Sequence, residues 1–72
     1  MGIPAPNRRL QELRAERDLT LEQVATATRL TRDTIARMEA GKGASHLRTK
    51  WRVARFYAVP VGELFPEESV SA

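Results

Sequence analysis

The sequence predicts an all-α fold, a bundle of five short helices, and three observations carry that expectation. Apolar residues recur at three- and four-residue spacing rather than in alternation, the mark of helices with one buried face. Ten of the 72 residues are Ala, the strongest helix former, while aromatic residues make up only 6%. Two Thr residues stand where helix N-caps are needed, each just ahead of an apolar-periodic stretch. A chain this short forms one domain and buries only about 60% of its unfolded surface, so its packing must be economical.

Residues 1–6 hold two prolines and a glycine without periodicity and read as a flexible N-terminal arm. From Asn7 a helical pattern begins, in which Leu10, Leu13, Arg14 and Arg17 put two leucines and two arginines on one stripe. Asp18 suits a left-handed stop, a conformation Asp tolerates better than most non-glycine residues. Thr20 and Gln23 form a capping-box pattern with Leu19 and Val24 at the staple positions. The second helix then runs from Leu21 to Ala27 or Thr28, with Val24 and Ala25 inward. Thr31 repeats the cap, with Leu30 and Ile35 as its staple. Ile35, Met38 and Glu39 share one face of a third helix that stops before Gly41, a natural C-terminal residue.

The link between these helices is about three residues, Thr28 to Leu30, which forces a sharp helix-turn-helix. After a loop, Gly41 to Ser45, a fourth helix is marked by Leu47, Trp51, Val53, Ala54 and Tyr57. The apolar company of Trp51 and Tyr57 assigns both to the core. Pro60 opens a short fifth helix, Val61 to Phe65, before Pro66. The folded domain is thus 7–66, followed by an acidic tail, 67–72.

The formal charge of +3 is unevenly spread: residues 1–28 carry four positive and four negative charges, 29–55 eight and two, and 56–72 none and three. A middle of this kind is the electrostatic footprint of a nucleic-acid binder, with a merely solvated face as the competing reading at this level. With no cysteine and a single histidine, His46, the chain lacks disulfides, thiolate or His-cluster metal sites and a Cys nucleophile. There is no Gly-rich phosphate loop and no carboxylate pair on an evident pocket. The sequence therefore reads as non-enzymatic, with no metal, cofactor or small-molecule ligand. No apolar run approaches the roughly 18 residues of a membrane span, MGIPAPNRR has no apolar signal region, and Pro6 stands where a myristoylation signal needs Ser or Thr. A soluble, unanchored, cytoplasmic protein is expected.

Residues 19–42, LTLEQVATATRLTRDTIARMEAGK, resemble the XRE family, the Cro and phage-repressor type of helix-turn-helix DNA-binding domain. The likeness extends from about Arg8 to Phe65, through the LRAER of the first helix, the capping LT, the TRDTIARME run, Gly41-Lys42 and the closing VPVGELFPEE. It implies a lambda-repressor-like five-helix domain that binds double-stranded DNA sequence-specifically as a small dimeric transcriptional regulator, with repression the expected direction. The chain departs from the family pattern at Arg29 and Ala58, where glycine is usual, at Lys50, where an apolar residue is usual, and in the loop Gly43 to His46.

In that frame helix three, about 32–40, enters the major groove. Arg32 and Arg37 lie opposite Ile35 and Met38, and an arginine can donate two hydrogen bonds to O6 and N7 of guanine. Asp33 can accept from the N4 amine of cytosine; equally, it can orient an arginine or stabilise the helix N-terminus. Phosphate contacts fall to Thr20 with the first N–H groups of helix two, to Thr34, and to Lys42, Ser45 and Arg48 beyond the reader. Arg52 and Arg55 read as solvated surface. Arg14 and Glu39, of opposite sign on apolar stripes, are expected to form a buried pair linking helices one and three, as the resemblance also implies; Arg14 reaching water at the edge is the alternative.

A homodimer on a palindromic operator is expected to meet through Val59, Val61, Leu64, Phe65 and Pro66 around helix five, unless Leu64 and Phe65 close the monomer core instead. The competing function is an antitoxin-like or adaptor module that keeps the fold without reading DNA, with Glu67 to Ala72 as a docking segment. Salt dependence of duplex binding separates the two.

Overall fold

The computed structural model describes residues 6–42 and 46–68. Five α-helices follow one another: α1 Arg8–Glu16, α2 Leu21–Thr28, α3 Arg32–Ala40, α4 Leu47–Tyr57 and α5 Val61–Leu64, with a 3-10 turn at Pro66–Glu68. No strand occurs among the described residues, so the all-α expectation is what the chain forms.

The helix boundaries have local causes. Asn7 Oδ1 accepts from the Leu10 N–H and starts α1. In α2 the capping box is complete: Thr20 Oγ1 accepts from the Gln23 N–H at 3.0 Å while Gln23 Oε1 accepts from the Thr20 N–H at 2.8 Å. Thr31 Oγ1 accepts from the Thr34 N–H and starts α3. At the C-terminal ends the backbone turns left-handed, at Asp18 (φ 56°), Arg29 (φ 61°), Gly41 (φ 71°) and Ala58 (φ 60°). Arg29 and Ala58 thus hold the conformation for which glycine is the unstrained choice.

The core gathers one face from each helix: Leu10 and Leu13 of α1, Val24 and Ala25 of α2, Ile35 and Met38 of α3, Val53, Ala54 and Tyr57 of α4, and Leu64 with Phe65 at the end of α5. Full burial of the Val, Leu, Ile, Met and Phe side chains among these contributes about 1.5–3 kcal/mol each before the entropy of ordering them. Thr28 is buried without penalty because its hydroxyl donates to the Val24 carbonyl at 2.7 Å. Arg17 keeps its exposed position but lays its guanidinium 5.1 Å from the Tyr57 ring centroid, tying α1 to α4. The Tyr57 hydroxyl is buried with no hydrogen-bond partner among the described residues; burial, reinforced by the charge of Glu39, pushes its pKa up.

Four sequence expectations change. Trp51 is not a core residue: it is 55% exposed, and Leu47 one turn earlier is 49% exposed. The inward sector of α4 is filled by Lys50, Val53, Ala54 and Tyr57, which leaves the Leu47–Trp51 stripe at its margin. Leu64 and Phe65 are 1% and 5% exposed, consumed by the protomer's own core, so they are not a surface for a second copy. α5 ends at Leu64 rather than Phe65. Finally, Glu67 and Glu68 belong to the folded unit. Lys50 Nζ, in the sector where an apolar side chain is usual, reaches Glu67 Oε2 at 2.8 Å and Glu68 Oε2 at 2.7 Å and lies 5.6 Å from the Phe65 ring centroid. The buried ammonium is thereby paired, as it must be. The arm to residue 5 and the tail from residue 69 lie outside the described residues.

Candidate nucleic-acid interface

The three-residue link Arg29 to Thr31 fixes how α2 and α3 cross. Leu30 N–H donates to the Ala25 carbonyl at 2.9 Å, folding the link back on α2, and the Thr31 cap then launches α3 at once. Ile35 and Met38 seal the inner face of α3, and Glu39 joins them, 6% exposed. Its carboxylate accepts from Arg14 Nε at 2.6 Å and Nη2 at 3.0 Å, so the base of α3 is pinned to α1 by a two-point ion pair. Arg14 Nη1 donates further to the Leu19 carbonyl, and its hydrogen bonds to the Glu39 carboxylate hold the guanidinium pKa above its ordinary value. The Glu39 carbonyl also accepts from the Asn7 N–H and from Gln11 Nε2.

With its inner face so fixed, α3 turns Arg32, Asp33 and Arg37 outward, all exposed. Asp33 Oδ2 lies 3.6 Å from Arg37 Nε, one turn on. Thr34, half-buried, shares a 2.8 Å hydrogen bond with the Thr31 hydroxyl, so its hydroxyl is partly engaged already. Thr20 is exposed at the N-terminus of α2, where the Leu21 and Glu22 N–H groups lack intrahelical partners and form a donor pair suited to an oxyanion. Beyond α3, the Lys42 N–H donates to the Arg37 carbonyl at 2.9 Å, which fixes the exit of the chain while the ammonium stays in solvent. Arg48 stands exposed in the first turn of α4, and Ser45 lies outside the described residues.

The exposed charged residues from α2 through the first turn of α4 are Arg29, Arg32, Arg37, Lys42 and Arg48 against Glu22 and Asp33. Lys50 does not contribute, being neutralised by Glu67 and Glu68. Reasoning from sequence missed that neutralisation, and it missed Asn7. The Asn7 side chain caps α1 while its Nδ2 donates to the Leu64 carbonyl at 2.7 Å, closing the ring from α1 to α5. An asparagine directly ahead of the first helical stripe is the signal that could have pointed to the cap; its long-range bond has no local signature. Among the described residues no cluster of His, Cys, Asp or Glu is arranged to hold a metal ion, and no helix is long and apolar enough to cross a membrane.

The family described as Helix-turn-helix domain matches residues 8–66. The chain is similar, at 33% identity over 64 residues, to the HTH-type transcriptional activator BcrR of Enterococcus faecalis, the match covering 89% of this chain and 31% of that protein. It is equally similar, 33% over 63 residues, to the cryptic phage CTXphi transcriptional repressor RstR of Vibrio cholerae, covering 88% of this chain and 57% of the relative. It thus spans less than two thirds of the length of either protein. The matched segment contains all five helices, the short link between α2 and α3 and the pinned inner face of α3; the chain belongs to the helix-turn-helix domain family.

Proposed function

We propose that this chain is a sequence-specific double-stranded-DNA-binding regulator of transcription that reads the major groove with α3. One observation carries the reading: α3 is held on its inner side by Ile35, Met38 and the Glu39–Arg14 pair, while its exposed outer side presents Arg32, Asp33 and Arg37, side chains able to pair with base edges. Arg32 and Arg37 contact base edges. Thr20, Thr34, Lys42, Ser45 and Arg48 hold phosphates on either side. The protein acts by binding rather than catalysis, in the compartment that holds the DNA, the cytoplasm. Repression is the output proposed, because a bound domain can exclude polymerase by occupancy alone; the two relatives, one an activator and one a repressor at the same identity, support regulation of transcription in either direction.

One helix in one groove covers too few base pairs to select a site, so two copies on a palindromic operator complete the reading. Since Leu64 and Phe65 are buried, self-association is assigned to the exposed Leu47 and Trp51 on α4, beside Arg48. These two side chains offer on the order of 200 Å² per protomer, far below a standard interface, which fits association templated by DNA rather than a dimer stable in solution. Selection of bound duplexes from a random pool tests the reading. Recovery of a palindromic motif containing G·C pairs supports it; a pool that stays random contradicts it.

A further inference from the structure

Asp33 and Arg37 stand one turn apart on the outward face of α3, with Oδ2 of one 3.6 Å from Nε of the other. Their side chains are 84% and 70% exposed, and an ion pair so open to water contributes little to stability. Its geometry says more than its energy. The carboxylate comes closest to Nε, the nitrogen nearest the arginine stem, at ion-pair rather than hydrogen-bond range, and no other described residue pairs with the guanidinium, so its outer Nη1–Nη2 edge meets no second partner. That edge matches the O6 and N7 acceptors of guanine. A free arginine must lose rotamer freedom to make such a contact, and a partner one turn away on the same face biases the side chain toward that position and reduces the loss. Water is excluded when α3 enters the groove, so the pairing strengthens where it is needed. Asp33 by itself would bring a negative charge toward phosphates, and its partner offsets that charge.

We infer that Asp33 is a positioning residue that presents the Nη edge of Arg37 to a guanine, rather than an independent reader of cytosine. The inference rests on the DNA-binding reading above and names the residue pair that sets its specificity.

The test measures binding of wild type, Asp33→Ala, Asp33→Asn, Asp33→Glu, Arg37→Ala and the double alanine variant to the selected duplex, to duplexes with each base pair changed in turn, and to an unrelated duplex. Thermal melts accompany each variant. Asp33→Ala is expected to weaken the selected duplex about three- to ten-fold, a part of the discrimination a bidentate arginine supplies. Binding to the unrelated duplex stays the same or tightens, since a negative charge has left a surface facing phosphates. Asp33→Ala and Arg37→Ala relax the same base pair, the double variant is no weaker than Arg37→Ala, and Glu restores discrimination better than Asn.

Relaxation of a different base pair by Asp33→Ala, with additive losses in the double variant, overturns the inference in favour of direct cytosine reading. Equal weakening on every duplex with a lowered melting temperature overturns it in favour of simple helix support. Wild-type protein with no preference among duplexes overturns the DNA-binding reading, and this inference with it.

Discussion

Arg14 of α1 and Glu39 of α3 form a two-point ion pair whose ends are unequally buried: the glutamate side chain is 7% exposed and the arginine side chain 26%. The inequality makes the two truncations differ. Arg14→Ala leaves a carboxylate stranded inside the core and should cost about 3 kcal/mol or more, enough to threaten a domain of this size. Glu39→Ala leaves an arginine whose stem can carry its charge to water, and should cost less, about 1–2 kcal/mol. Denaturant titration checks both. An Arg14→Ala loss below about 1 kcal/mol would mean that water already reaches Glu39.

The Lys50 cluster predicts a pH dependence. Hydrogen bonding to Lys50 holds the Glu67 carboxyl below its ordinary value, so its contribution is full above that value and is lost as pH falls through the lowered one. Hydrogen bonds to Glu67 and then Glu68 hold the Lys50 ammonium above its ordinary value, so its contribution is full below that value and is lost as pH rises through the raised one. Because the Glu67 side chain is 57% exposed, the acid limb should be modest, below about 1 kcal/mol. Chemical denaturation of wild type and of Glu67→Gln/Glu68→Gln across acid pH checks this. The wild type should lose more stability on acidification than the variant, and parallel curves would show that the cluster contributes nothing there.

Arg29 and Ala58 occupy left-handed backbone at φ 61° and 60°. Ala58→Gly removes a Cβ clash and should stabilise by about 0.5–1 kcal/mol, even after the extra entropy of glycine in the unfolded chain. Arg29→Gly should gain a similar amount. Asp18→Gly should gain less, since Asp tolerates this region. The three denaturation midpoints, compared side by side, test the ranking.

Local chemistry explains which features of the fold the sequence discloses. Thr20 with Gln23, Thr31, and Gly41 each act on backbone groups within a few residues, so the bounds of α2 and α3 could be read directly. The stripe positions of Leu10, Leu13, Ile35 and Met38 were likewise legible, because helical spacing fixes which side chains share a face. Spacing does not fix how wide the covered sector is. Leu47 and Trp51 share a stripe with each other, but the neighbours of α4 cover the adjacent sector around Val53 and Tyr57 instead. Lys50 looked like a break in the apolar pattern because its partners are 17 and 18 residues away, in a segment whose acidity read as a tail. For the same reason Phe65 read as available for a partner, when the turn that follows it folds Glu67 and Glu68 back onto α4.

The proposed self-association through α4 on DNA gives a contrast. Trp51→Ala should leave folding within about 0.5 kcal/mol of wild type, as expected of an exposed site, yet weaken cooperative loading of the second protomer on a palindromic duplex. Phe65→Ala should instead cost about 3 kcal/mol or more of stability. Sedimentation of protein–duplex mixtures, paired with thermal melts, separates the two. Unchanged cooperativity in Trp51→Ala would remove α4 from the interface.

In the proposed complex the outward face of α3 reads DNA while Lys42 and Arg48 hold its backbone. The most direct measurement is the affinity of the protein and its Arg37→Ala and Lys42→Ala variants for the selected duplex and for a scrambled one, across a salt series. Wild-type affinity is expected to fall linearly in log–log form with salt, by a slope of about 0.9 per phosphate neutralised, and to favour the selected duplex. Lys42→Ala should weaken both duplexes alike and reduce the slope by about one, whereas Arg37→Ala should cost about 1–3 kcal/mol on the selected duplex only. Affinity that is flat with salt and equal on both duplexes would contradict DNA reading by α3 and leave the fold as a protein-interaction module.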